Sequence, residues 1–280
     1  MSVESPVPCR LWVIMARKAQ CALILRRGPT RWLELILWDT KKDSFQRGQW
    51  FHGRIYEERC DLSPDGSKFI YMAGKYGRKR DADMPDTWTA ISKPPYITAL
   101  ALWRTYGVYG GGLFLDDRCF RRTDWPEKIH PRFSLKGLVD VLDDFDRISK
   151  HRNFFAAEEH FKDPVDLRLR RVGWEVVEQA GRQPLKWMRG NPDGRGKLLL
   201  DRSSRTPKYV LVLGSRDGEP QALDAEWADW DQRGRLAVVR RGKLLVGKWN
   251  RHKGVYFEEL ADFNDDCPVS IEAPEWAKHW

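Results

Sequence analysis

A short segment of this chain occurs twice, and the repeat limits the folds available to it. Residues 60–71 (CDLSPDGSKFIY) align with residues 228–239 (ADWDQRGRLAVV). Asp61 falls on Asp229, an offset of 168 residues (229 minus 61). This offset equals four steps of about 42 residues, a period typical of proteins built from repeated small sheets.

The repeated segment has the chemistry of a turn followed by a strand. Pro64 presets its own φ, and Gly66 tolerates a positive φ. The residues after the turn are rich in β-formers, and Gly234 takes the place of Gly66 in the second copy. Weaker copies cover residues 98–120 and 183–201, while the copy expected near residue 145 is missing.

Short apolar runs separated by turn residues continue along the chain. Many short strands at regular spacing are typical of a sandwich, barrel or propeller, so we predict an all-β fold. The runs that we assign to strands are 20–26, 32–38, 50–56, 68–72, 88–91, 97–103, 113–115, 167–177, 197–200, 209–213, 236–239, 244–249 and 255–260.

One segment departs from this pattern. Apolar residues recur at helical spacing over residues 134–148, and Ser134 is well placed as an N-cap. We therefore predict one amphipathic helix, inserted at about residues 134–160. The apolar positions are Leu135, Leu138, Val139, Leu142, Phe145 and Ile148.

Residues 63–71 (SPDGSKFIY) resemble the blade motif of the WD40 and TolB-like β-propellers, in a divergent form of the bacterial type. The resemblance implies a β-propeller of about five blades, within a range of four to six. We expect it to cover residues 20–264, with tails at 1–19 and 265–280. Another all-β architecture and an α+β fold are the alternatives.

Composition favours a packed domain without disulfides. Of the 280 residues, 41% are hydrophobic and 14 are Trp, which suits half-buried sheet faces. The five cysteines are far apart and form no CxxC pair, so we expect a reduced, cytoplasmic protein. No apolar run reaches the roughly 18 residues of a membrane helix. Met15 offers a second candidate start.

The sequence contains no motif for catalysis. A phosphate loop needs Ser or Thr after Gly-Lys, but Leu198 follows Gly196-Lys197. A GxSxG motif is absent and the six histidines are scattered. We therefore predict a non-enzymatic protein with no catalytic, cofactor-binding or metal-binding residues.

Clusters of basic side chains are the candidate binding residues. The formal net charge is +9, which indicates either an acidic partner or a well-solvated surface. Arg168 and Arg170 alternate with leucines, so we expect both on one face of a strand. The candidates are Arg78, Lys79, Arg80, Arg121, Arg122, Arg168 and Arg170.

We predict that the chain is a scaffold or recognition module that binds another protein. Propellers present loops from every blade, and exposed aromatic and arginine side chains there are good anchors. The alternatives are a nucleic-acid-binding β-protein that uses basic loops, and a propeller hydrolase whose site the sequence does not reveal.

Overall fold

The computed structural model describes residues 7–28, 30–77, 85–105, 107, 109–123, 127–141, 163–181, 183–214, 220–250 and 254–280. These residues form five sheets that follow one another along the chain, so the predicted all-β class is confirmed. We number them sheets 1 to 5 in chain order.

Sheet 1 is an antiparallel meander in the order β1-β2-β3-β4. Its strands are β1 (Arg10–Met15), β2 (Cys21–Arg27), β3 (Trp32–Asp39) and β4 (Ser44–His52). The strands predicted at residues 20–26 and 32–38 are present as β2 and β3, which pair antiparallel. The predicted tail over residues 1–19 is wrong where β1 forms. Leu11 and Val13 lie on the same face of this strand, and both are buried.

Sheet 2 has the order β5-β7-β8-β9, and β6 also pairs with β7. A single turn of 3₁₀ helix at Glu57–Arg59 lies between β5 and β6. Every residue of β7 and β8 is buried, which makes this sheet the most enclosed of the five. Its strands are β5 (Arg54–Ile55), β6 (Asp61–Leu62), β7 (Phe69–Gly74), β8 (Thr87–Ser92) and β9 (Ala101–Thr105).

Sheet 3 is small and contains a parallel pair. Its strands are β10 (Gly112–Phe114), β11 (Cys119–Arg122) and β12 (Val139–Asp140). β10 pairs with β11 antiparallel, whereas β12 runs parallel to β11.

The helix predicted from Ser134 does not form over residues 134–141. Lys136 and Gly137 have φ of 36° and 90°, which a right-handed helix cannot contain. Leu138 instead packs into the core of sheets 2 and 3. The remainder of the prediction, from residue 142 to about 160, lies outside the described residues.

The chain enters sheet 4 through a helix that the sequence analysis assigned to a strand. Helix α1 spans Pro164–Arg171, so the predicted strand at 167–177 is wrong over its first part. Asp163 caps α1 by accepting a hydrogen bond from Val165 N at 2.9 Å, and Pro164 occupies the first turn.

Sheets 4 and 5 are antiparallel meanders. Sheet 4 contains β13 (Glu175–Ala180), β14 (Gln183–Gly190), β15 (Gly196–Asp201), β16 (Lys208–Leu213) and β17 (Gln221–Leu223). Sheet 5 contains β18 (Trp227–Trp230), β19 (Leu236–Arg240), β20 (Lys243–Asn250) and β21 (Gly254–Asp262).

One turn recurs in sheets 2, 4 and 5. In each, a glycine with φ near +72° donates its N–H to the carbonyl oxygen three residues earlier, at 2.9 to 3.0 Å. Two of the three turns belong to the repeated segment of the sequence analysis. The glycine and carbonyl pairs are Gly66 with Ser63, Gly194 with Asn191, and Gly234 with Asp231.

Hydrophobic packing joins the sheets in sequence. One core cluster joins sheets 1 and 2, and another joins sheets 2 and 3. The core of sheets 4 and 5 also contains Leu113 of β10 and Leu167 of α1. A further cluster joins sheet 5 to sheet 1 and contains Val246 and Leu11. The first and last sheets are therefore in contact.

The C-terminal segment packs on the outside of the sheets. Helix α2 (Glu275–Lys278) buries Ala277 against Tyr96. Lys93 Nζ donates to the carbonyl oxygens of Trp276 at 2.9 Å and His279 at 2.6 Å. Neither described helix has the length and apolarity that a membrane crossing requires.

Candidate functional site

A cavity of about 250 Å³ lies where β1, β18 and α1 meet, and we call it the Trp12 cavity. Its wall combines large aromatic rings with arginine side chains, the residue types that most often anchor protein partners. Part of the wall comes from the segment between β15 and β16. The residues of the wall that carry the argument are Trp12, Arg168, Trp174, Arg205, Tyr209 and Trp227.

Helix α1 presents Arg168 to this cavity. The half-buried guanidinium lies 5.4 Å from the Trp12 ring centroid, a cation–π distance, and donates to the Cys60 carbonyl oxygen at 2.6 Å. Burial lowers the pKa of Arg168, and the neighbouring Arg171 lowers it further while Asp61 opposes both.

Trp12 brings an unused hydrogen-bond donor to the wall. Its indole Nε1 is buried and has no acceptor among the described residues. An indole N–H can only donate, and a buried donor without an acceptor costs about 1–3 kcal/mol. A ligand that places an oxygen acceptor here would recover that free energy.

Arg205 supplies charge to the same cavity. It is exposed and makes no ion pair in the part of the chain that the structure describes. Arg202, by contrast, is held by Asp163 at 3.1 Å and by Asp166. Burial, together with Asp163, raises the pKa of Asp166 to about 6.

The two repeated aspartates hold arginines near the cavity. Asp61 accepts from Arg171 Nη2 at 2.6 Å and from Phe114 N at 2.7 Å, which ties β6 to α1 and β10. Asp229 pairs with Arg189. The repeat in the sequence located both carboxylates, but it did not reveal their arginine partners, which lie 110 and 40 residues away.

A second cavity, of about 560 Å³, shares Met15, Arg171 and Val172 with the first, and we call it the Arg17 cavity. Four cationic side chains line it, namely Arg17, Lys18, Arg171 and Arg189. Its wall contains one carboxylate, that of Asp231, which is engaged by Arg235 Nε at 2.7 Å.

The structure disperses the basic residues predicted to bind a partner. Arg122 is buried, pairs with Asp140 and stacks over Trp103 at 4.9 Å, which makes it structural. Burial lowers the pKa of its half-buried neighbour Arg121. These two belong to β11, whereas Arg168 lies at the Trp12 cavity.

Arg168 and Arg170 lie on helix α1, so the prediction that both lie on one strand face is wrong. Arg170 is exposed and stacks over Trp187 at 5.7 Å. The remaining candidates, Arg78, Lys79 and Arg80, lie outside the described residues.

The two cavities present N–H donors and cationic side chains, which are groups that can bind oxygen acceptors and anions. Within the described ranges, no three His, Cys, Asp or Glu side chains are grouped so as to hold a metal ion. No model of a known protein family matches the chain. No curated protein sequence matches it either.

Proposed function

We propose that the chain is a five-bladed β-propeller in which each sheet forms one blade. The packing of sheet 5 against sheet 1 supports a closed ring. If each sheet packed only against the next one along the chain, as sheet 1 does against sheet 2, the first and last sheets would lie apart. Strands from four of the sheets also lie beside one another, since β1 contacts both β6 and β18, and β6 contacts β10. Blades arranged about an axis place their innermost strands in this way.

We infer that this propeller is a recognition module that binds a segment of another protein in the Trp12 cavity. The observation that carries the proposal is the cavity wall, in which Trp12 keeps an unused indole N–H beside the Arg168 guanidinium. A cavity of about 250 Å³ has room for one or two side chains rather than a whole domain. A short segment of the partner therefore fits it best.

The charge of the wall indicates the chemistry of that segment. Arg205 has no carboxylate partner in the described chain, so an acidic side chain near an aromatic or aliphatic one would complement the cavity. A desolvated pair of arginine and carboxylate would fix the orientation of the bound segment, while the aromatic rings would bury its apolar side chain.

A pull-down of the tagged full chain, read by mass spectrometry with and without nuclease, tests this proposal. Arg205→Glu reverses the charge at the cavity and should remove the partner from the eluate. Arg195→Glu is the matched control, because Arg195 is 57% exposed and lines neither cavity. We expect a protein recovered in stoichiometric amount with the wild type and Arg195→Glu only.

Equal recovery with both variants would refute binding through the Trp12 cavity. Loss of every recovered protein on nuclease treatment would refute a protein partner and favour nucleic acid, whose affinity falls steeply with salt.

A further inference from the structure

We propose that the Arg17 cavity is a binding site for a phosphate group, separate from the segment-binding Trp12 cavity. The site is formed by the turn between β1 and β2, the end of α1 and the end of β14. It does not depend on which partner, if any, occupies the Trp12 cavity.

Two guanidinium groups converge at this site. Arg17 Nη2 and Arg171 Nη1 both donate to the Phe114 carbonyl oxygen, at 2.9 and 2.6 Å. Arg17 Nη2 also donates to the Leu115 carbonyl oxygen at 3.0 Å. These contacts fix the two side chains beside each other, although like charges repel.

Each of the two arginines retains an unused donor. The Nε–H groups of Arg17 and Arg171 are buried and donate to no acceptor among the described residues. The Arg171 side chain is only 7% exposed, so water compensates little for the missing acceptor. An oxyanion in the cavity would supply it.

The fixed carboxylates nearby do not balance the charge. Lys18, Arg171 and Arg189 each pair with one carboxylate, at Asp117, Asp61 and Asp229. Arg17 has carbonyl partners but no ion pair in the described chain. Burial, followed by the Arg171 charge, lowers the pKa of Arg17 to about 10, while Asp61, Asp117 and Asp116 oppose the shift.

Phosphate fits this arrangement better than a carboxylate. A phosphate dianion offers several oxygen atoms and two charges, and the planar fork of arginine matches it in bidentate geometry. A carboxylate has two oxygen atoms in one plane, so it can accept from fewer of the donors of the cavity at once. The tetrahedral shape also allows donors from Arg17, Lys18 and Arg189 to approach from different directions.

Calorimetric titration of the full chain with inorganic phosphate, at ionic strength matched with sodium chloride, tests the proposal. We expect measurable binding by the wild type and weaker binding of acetate. Arg17→Gln should weaken phosphate binding about tenfold, because a charge-assisted hydrogen bond is lost. Lys18→Gln should weaken it by about threefold, since Lys18 is 66% exposed and its charge is screened.

Lys186→Gln is the matched control, because Lys186 also forms a surface ion pair but lines neither cavity. It should bind phosphate as the wild type does. If Arg17→Gln does not fold, Lys18→Glu takes its place and should weaken binding more than Lys18→Gln.

No binding by the wild type, or acetate binding as tight as phosphate, would overturn the proposal. So would equal affinities of the wild type and Arg17→Gln. The outcome is independent of the partner test, because Arg205→Glu leaves the Arg17 cavity intact and should bind phosphate normally.

Discussion

Buried charge is the main feature of this protein at the scale of single residues. Asp61 is 1% exposed and still finds two strong donors, so its carboxylate is fully compensated. Glu34 is 2% exposed but is poorly compensated. Its Oε2 atom accepts no hydrogen bond from a described residue and lies 3.9 Å from Arg47 Nη1, which is 2.6 Å from Asp266.

Glu34 should make the stability of the protein depend on pH. Burial raises the pKa of Glu34 to about 7, helped by Asp266 and opposed by Arg47 and Arg26. The folded state then holds the proton of Glu34 more tightly than the unfolded state does. The stabilisation that results is complete below the ordinary pKa of 4.5. It is lost as the pH rises to about 7.

Urea unfolding of the wild type and Glu34→Gln across this range measures the effect. We expect the variant to gain stability relative to the wild type as the pH rises, by on the order of 2–3 kcal/mol. Glu178→Gln is the control, since Glu178 is half exposed and should follow the wild type. Parallel pH profiles of the wild type and Glu34→Gln would contradict this account.

At the scale of elements, the repeated turn is the feature that the sequence specifies best. Asp, Asn or Ser at the start and glycine three residues later are local signals, and they act wherever they occur. The structure shows this turn at three places with nearly the same glycine φ.

The loss of stability on replacing a glycine by alanine should depend on the φ of that glycine and on the space around it. Gly190 has open space and no positive φ, so Gly190→Ala should change stability little. Gly194→Ala and Gly234→Ala should each cost about 1–2 kcal/mol, because both glycines have positive φ. Gly66→Ala should cost more, since its Cβ would lie 2.3 Å from Cys21 Sγ. Chemical denaturation measures the order, and equal losses at Gly190 and Gly194 would refute it.

The elements that the sequence analysis missed depend on context. Leu167 and Leu169 alternate as in a strand, yet Asp163 and Pro164 start a helix, and Asp-Pro before a run of helix formers is a helix-start signal in the sequence itself. The apolar positions from residue 135 onward have helical spacing, but Gly137 turns the chain and Leu138 enters a core built by distant strands. Burial against partners far along the chain overrides local periodicity.

The candidate site could be predicted only in part. Asp61 and Asp229 are visible as a repeat. Arg17, in the turn after β1, and Arg171, at the end of α1, come together only because both donate to the Phe114 carbonyl oxygen. No local pattern encodes such a meeting. Runs of basic residues do not by themselves identify a binding surface, because Arg122 is buried in the core.

At the scale of the whole molecule, a closed ring requires contact between the first and last sheets. Asp43, in the turn after β3, and Arg235, in the turn before β19, are 192 residues apart. Their side chains form a bidentate pair at 2.7 and 2.8 Å. A ring of five blades requires this contact, whereas an open row of sheets does not contain it.

A double-mutant cycle on this pair tests ring closure most directly. The free energy of unfolding is measured for the wild type, Asp43→Asn, Arg235→Gln and the double variant; the bond from Arg235 to Asp231 cancels in the cycle. We expect a coupling free energy of about 1–2 kcal/mol in favour of the native pair. A coupling of zero would contradict the pairing of Asp43 with Arg235 across sheets 1 and 5, and with it the closed ring that the propeller proposal requires.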